Sequence, residues 1–109
     1  MNQDIANEEM IISNDADIDT ASRALKAMAH PLRLKILCIL GANKEVSVQE
    51  LVERVGTSQS NISQHLSILR DKNILISRKD ANKVFYRIGE KSILNLIEAM
   101  QDAFCSSDF

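Results

Sequence analysis

The densest pattern of apolar positions lies between Val46 and Arg70. Val48, Leu51, Val52 and Val55 recur at helical spacing, and Gly56 follows at once. Ser47 with Glu50 three residues on is a capping-box signature for that helix. Gly56 is the residue type that closes a helix in the left-handed conformation. Thr57 and Ser58 are candidate N-caps for a second helix, in which Ile62, Leu66 and Leu69 form one inward stripe. The reading is two helices joined by a tight turn.

The flanking segments follow the same rules. Residues 1–15 are polar and acidic around Met10-Ile11-Ile12, and read as mostly disordered or as a short helix leaning on the body. Asp17 or Asp19 is expected to cap a helix running to about Ala29, with Ala21, Leu25 and Met28 as its apolar face. His30-Pro31 interrupts it, and Pro31 suits the first turn of a new helix. That helix, about Leu32 to Leu40, is apolar nearly all round and should be buried, with Cys38 pointing inward and Gly41 as its stop. After Arg70 the period changes to that of strands. Ile74 to Arg78 and Val84 to Ile88 flank Lys79-Asp80-Ala81-Asn82-Lys83, a β-hairpin in which Asn82 tolerates positive φ. Tyr86 is expected in the core of this hairpin. A last helix, about Lys91 to Phe104, aligns Ile93, Leu96, Ile97, Met100 and Phe104. Five large apolar residues exceed what a small domain needs, so a second copy of the chain is expected to cover them. The fold class is mainly α with one hairpin, α-α-α-α-β-β-α: a homodimeric winged helix–turn–helix over residues 16–105, preceded by the acidic segment 1–15 and followed by a tail, 106–109.

Charge changes the picture. The net charge is −2, but six of the fifteen acids fall in residues 1–19, which hold no Lys or Arg. The rest of the chain carries thirteen bases against nine acids. From Arg54 to Lys91 there are eight bases and three acids, so the positive charge gathers around the helix pair and hairpin. The outward side of the second helix holds Gln59, Ser60, Asn61, Ser63, Gln64 and Ser67, ending in Arg70. Short amides and hydroxyls there suit base edges and phosphates better than an ordinary charged solvent face. With Ser58, and with Arg78, Lys79 and Lys83 on the hairpin, these are the candidate contacts to double-stranded DNA. His65 reads equally as a phosphate contact or a packing residue, and His30 as a cap or core residue.

No apolar run approaches the ~18 residues of a membrane span. The acidic N-terminus lacks the basic region of a signal peptide, so a cytoplasmic protein with no membrane association is expected. The two cysteines, Cys38 and Cys105, are too far apart in sequence for a local zinc knuckle, and a static disulfide is not expected in a reducing compartment. No nucleophile–base pair, phosphate loop or clustered carboxylates suggest an enzyme, and no cofactor is expected.

The run Leu25-Lys26-Ala27-Met28-Ala29-His30-Pro31-Leu32-Arg33-Leu34 resembles the opening stretch of the ArsR/SmtB family of bacterial repressors. Ser58 to Leu66 is similar to that family's recognition helix, and Val84 to Ile88 to its second wing strand. The likeness spans about Thr20 to Cys105. It implies a homodimer built on the first and last helices, binding an inverted-repeat operator and released by an inducer. The family's metal-sensing patterns are missing. Leu51-Val52-Glu53-Arg54 stands where a paired-cysteine motif would be, and the last helix offers Asn95, Glu98 and Asp102 but no His, a poor zinc set. The placement of Cys38 and Cys105 resembles the two-cysteine, persulfide- and redox-sensing branch. That resemblance implies that the two converge in one subunit and are bridged by sulfur on exposure to reactive sulfur species or oxidant. Two alternatives remain open at this point: a metal(loid)-responsive repressor, and a winged-helix protein-interaction module that does not bind DNA.

Overall fold

The computed structural model describes residues 9–105; residues 1–8 and the 106–109 tail expected from the sequence lie outside the described residues. The first helix, α1, spans Asp15–Met28. Its N-cap is Asn14, whose side chain accepts from the amides of Ala16 and Asp17, and not Asp17 or Asp19 as expected. An asparagine is as good a cap as an aspartate, and it leaves the acids inside the first turn, against the positive end of the helix dipole. Met10, Ile11 and Ile12 are exposed, and none of them joins the apolar core. Leu25 is also half exposed, whereas Ala27 and Met28 are buried, so the inward face of α1 is rotated from the expected one.

Helix α2 runs Pro31–Ala42, with His30 as N-cap: its ring Nδ1 accepts from the Leu32 amide at 3.1 Å. Gly41 does not stop this helix. It lies within it, and a methyl group built there would sit 3.5 Å from Ile97 Cγ2 and 3.8 Å from Leu94 Cδ1. Its small size therefore lets the last helix approach. The apolar surface of α2 is divided: Ile36, Leu37 and Leu40 are buried, whereas Cys38 is exposed. Periodicity cannot orient a helix that is apolar on all sides, and here the remaining side faces a groove.

Strand β1, Val46–Ser47, leads directly into α3, Val48–Val55. The Ser47 hydroxyl caps α3 by accepting from the Glu50 amide at 3.1 Å, while the Glu50 carboxylate pairs with Arg54 at 2.6 Å. Gly56 then takes the left-handed conformation, φ 81°. Helix α4, Gln59–Asp71, is capped by Ser58 and buries Ile62, Leu66 and Leu69 completely. Asn73, at φ 61°, ends it, with its amide donating to the Arg70 carbonyl and that of Ile74 to the Leu69 carbonyl.

The hairpin strands are β2, Leu75–Asp80, and β3, Lys83–Ile88. Both are longer than the sequence suggests and meet at a two-residue turn. Ala81 and not Asn82 carries the positive φ, at 56°. Closing the ladder at Asp80 opposite Lys83 forces left-handed backbone on the residue after Asp80. The short β1 adds a third strand that the sequence did not announce, pairing Val46 with Tyr86 in the order β1-β3-β2, all antiparallel. Tyr86 is buried. Helix α5, Lys91–Phe104, packs on α2 and β3, and Ile97 is its one buried residue. Leu96 and Phe104 on the same helix are exposed, as is Ile18 on α1.

Candidate nucleic-acid interface and thiol groove

Three local devices aim the polar face of α4. The Gly56 turn separates it from α3, the Ser58 cap accepts from the Asn61 amide at 3.1 Å, and the inward stripe fixes its rotation. Gln59, Ser60, Ser63 and Gln64 are left exposed along its first two turns. Arg70 is also exposed, six residues past Gln64 and so about 9 Å further along the axis at ~1.5 Å per residue. Asn61 turns inward to the cap, donating from Nδ2 to Thr57 Oγ1 at 3.1 Å. Ser58 is shared between the cap and Ser60, whose hydroxyl lies 3.3 Å away.

The wing meets this face across a polar groove of about 420 Å³. Gln59 and Ser63 line it from α4, and Asn82, Lys83 and Tyr86 from the wing. Ser47, the N-cap of α3, and Gln49, in its first turn, close it on the other side. The sequence reading missed Gln49 and Asn82 as members of this surface. The exposed polar residue two positions after the Ser47 cap was the available signal for Gln49.

Not every expected contact is equally free. Lys79 and Lys83 are exposed. Arg78 is instead held by Glu45, with Nε 2.8 Å from one carboxylate oxygen and Nη2 2.7 Å from the other. Its guanidinium also stacks 4.6 Å from the centre of the Phe85 ring. The Arg78 hydrogen bond holds the Glu45 carboxyl below its ordinary value, against the opposing effect of desolvation. A fork-to-fork pair of this kind orients a planar cation more firmly than a single contact. His65 faces the body of the domain. Its Nδ1 lies 3.1 Å from Arg33 Nη1, and its ring centre is 4.6 Å from that of His30.

The second feature is a groove of about 590 Å³ between the C-terminal halves of α2 and α5. Leu34 and Cys38 line it from α2, and Ile97, Met100 and Phe104 from α5, with Cys105 at the end of that helix. Both cysteines are free thiols and both are exposed. Among the described residues, no three His, Cys, Asp or Glu side chains cluster as a metal site, and no helix is long and apolar enough to cross a membrane.

A capped helix pair with a polar second helix, a basic hairpin beside it and a groove joining them define a winged helix–turn–helix DNA-binding protein. Residues 30–77 match the bacterial regulatory protein arsR family. The chain is 37% identical over 90 residues to the HTH-type transcriptional regulator YgaV of Escherichia coli, covering 83% of this chain and 91% of that one. It is 40% identical over 84 residues to the biofilm growth-associated repressor of Agrobacterium fabrum, covering 77% and 71%. Among solved structures, reduced HlyU from Vibrio cholerae superposes with a TM-score of 0.78 at 40% identity, covering 84% of this chain and 96% of that one. The homodimeric winged helix–turn–helix domain of Mb0332 from Mycobacterium bovis superposes with a TM-score of 0.76 at 26% identity, covering 82% of each. The chain belongs to the ArsR family of DNA-binding transcriptional regulators, which is not a family of enzymes.

Proposed function

We propose that this regulator is a homodimeric repressor whose operator binding is switched off when Cys38 and Cys105 react with persulfide or oxidant. The observation that carries the switch is that the chain's two cysteines, 67 positions apart, line one groove as free, exposed thiols. In the simplest sequence one thiolate attacks the outer sulfur of an organic persulfide, forming a protein persulfide and releasing the organic thiolate. The second thiolate then displaces hydrosulfide and leaves the two cysteines bridged. With further sulfur transfer the bridge is a polysulfide, which tolerates a wider separation than a direct disulfide.

The link to DNA is mechanical. Helix α2 packs against α3, α4 and α5, so tying its C-terminal half to the end of α5 acts on the element that seats the helix pair. A dimer reads two half-sites about one helical turn apart, and a small change in α4 spacing weakens its grip on both. Dimerisation itself is supported by the exposed apolar residues Ile18 and Leu25 on α1 and Leu96 on α5, and by the homodimeric relative. Operator contact is assigned to Gln59, Ser60, Ser63 and Gln64, with Lys79 and Lys83 on flanking phosphates. Metal(loid) control through the same thiols has less support, because no third ligand joins them among the described residues.

The test is release of a cognate DNA duplex by an organic persulfide. Wild type is expected to dissociate, and Cys38→Ser and Cys105→Ser to stay bound. A double Ser variant that still responds would show that the switch lies elsewhere.

A further inference from the structure

We infer that the thiol groove selects its reagent by charge: it favours uncharged, apolar organic polysulfanes over anionic ones, and Glu98 sets that preference. The inference rests on the thiol-switch reading and names the class of molecule that reaches it. Leu34, Ile97, Met100 and Phe104 give the groove an aliphatic and aromatic wall. Its volume of about 590 Å³ falls inside the roughly 300–1,000 Å³ of small-molecule sites. A persulfide or polysulfide anion alone would not need such a wall.

The charge pattern points the same way. Among the described residues, Glu98 is the one carboxylate lining the groove, and no Lys, Arg or His lines it. A reagent bearing carboxylates therefore approaches the thiols past a fixed negative charge, with no cation to offset its desolvation. The other polar residue on the α5 side of the groove, Gln101, is neutral and lies about one turn from Glu98. A neutral reagent loses nothing to Glu98 and gains burial of its apolar groups.

With a symmetrical organic trisulfide the chemistry balances without any further oxidant. One cysteine thiolate attacks a terminal sulfur, forming a mixed disulfide and expelling the organic persulfide anion. The other thiolate attacks the cysteine sulfur of that mixed disulfide and expels the organic thiolate. Two protein thiols are oxidised to one disulfide, and the trisulfide is reduced to one persulfide and one thiol, which carry away the two protons.

The experiment compares dibenzyl trisulfide with its bis(para-carboxybenzyl) analogue, which adds negative charge to the same scaffold. Rates of thiol consumption on the full-length reduced protein, read by mass spectrometry after alkylation, are normalised to those with a small neutral thiol. The neutral compound is expected to react about fivefold faster, the scale of one like-charge contact of about 1 kcal/mol across ~4 Å of water, since Glu98 is exposed. Glu98→Gln should narrow the ratio, and Glu98→Lys should bring it to one or below. Equal rates on the wild type, or a preference unchanged in Glu98→Lys, overturns the inference. DNA release is scored in parallel with an organic persulfide. Release without charge selection removes this inference and leaves the switch standing; charge-selective modification of the thiols without release does the reverse.

Discussion

The guanidinium of Arg33 reaches across from α2 to within 3.1 Å of His65 Nδ1, in the middle of α4. Arg33 also donates from Nε to the Ala27 carbonyl at the end of α1. One side chain thus ties three helices, and His65 serves as the acceptor on α4. An acceptor at Nδ1 requires that position to be unprotonated.

This makes fold stability sensitive to mild acid. Burial, then His30, then Arg33, holds the His65 pKa below its ordinary 6.5. The neutral ring is the folded form, so its contribution is fully present above the unfolded value and declines as pH falls through the lowered folded one. The charged and titratable groups acting on the ring are both basic, His30 and Arg33. Urea midpoints of the wild type should therefore fall below about pH 6.5. His65→Gln, which keeps a polar side chain but cannot titrate, should show a shallower decline. Parallel curves would assign the acid sensitivity to other groups.

Base readout should reside in the middle of the exposed α4 face. Ser63→Ala with Gln64→Ala is expected to weaken operator binding by roughly 5- to 150-fold, the range over which one good side chain–base pairing discriminates. Sedimentation should show the assembly unchanged. Unaltered affinity in a gel-shift titration would remove these two side chains from the interface.

Phosphate contact by the wing has a separate signature. Replacing Lys79 or Lys83 with Ala should reduce the slope of log affinity against log salt by about 0.9 for each phosphate that is no longer neutralised. Arg78 should behave differently, since its guanidinium is held by Glu45 and Phe85. Arg78→Ala is expected to change the slope less than either lysine substitution and to loosen the wing, seen as faster amide exchange in β2 and β3. Equal slope changes at all three positions would place Arg78 on the DNA.

The apolar surface left outside the fold should be the subunit interface. Leu25→Glu combined with Leu96→Glu is expected to yield monomers by sedimentation while the helical circular dichroism persists. Such monomers should bind the operator at least about tenfold more weakly, because each subunit then pays its own association cost. A stable dimer in this variant would place the interface elsewhere.

Much of this architecture was legible because punctuation residues act locally. Ser47, Gly56 and Ser58 have one good use each at their positions, and the structure uses all three as caps or stops. The stripe Ile62, Leu66 and Leu69 was equally plain, since the other side of α4 is polar. Legibility failed where the deciding partner was distant in sequence. Gly41 serves Ile97 and Leu94 on another helix, so its isolated appearance as a terminator misled. Strand β1 is two residues long and exists only because Tyr86 and Phe85 offer an open edge. Cys38 shares its helix with apolar residues on every side, and only the position of α5 decides which of them a groove exposes. The roles of Arg78 and Glu45 depend on a hydrogen-bonded pair 33 positions apart, beyond any periodic pattern.

Ser47 is at once the last residue of β1 and the N-cap of α3. Its backbone pairs with Phe85 in the wing, while its hydroxyl holds the first turn of the helix pair. The hairpin is therefore not an independent flap: through Ser47 and the neighbouring Val46–Tyr86 pair it is built into the start of the helix pair.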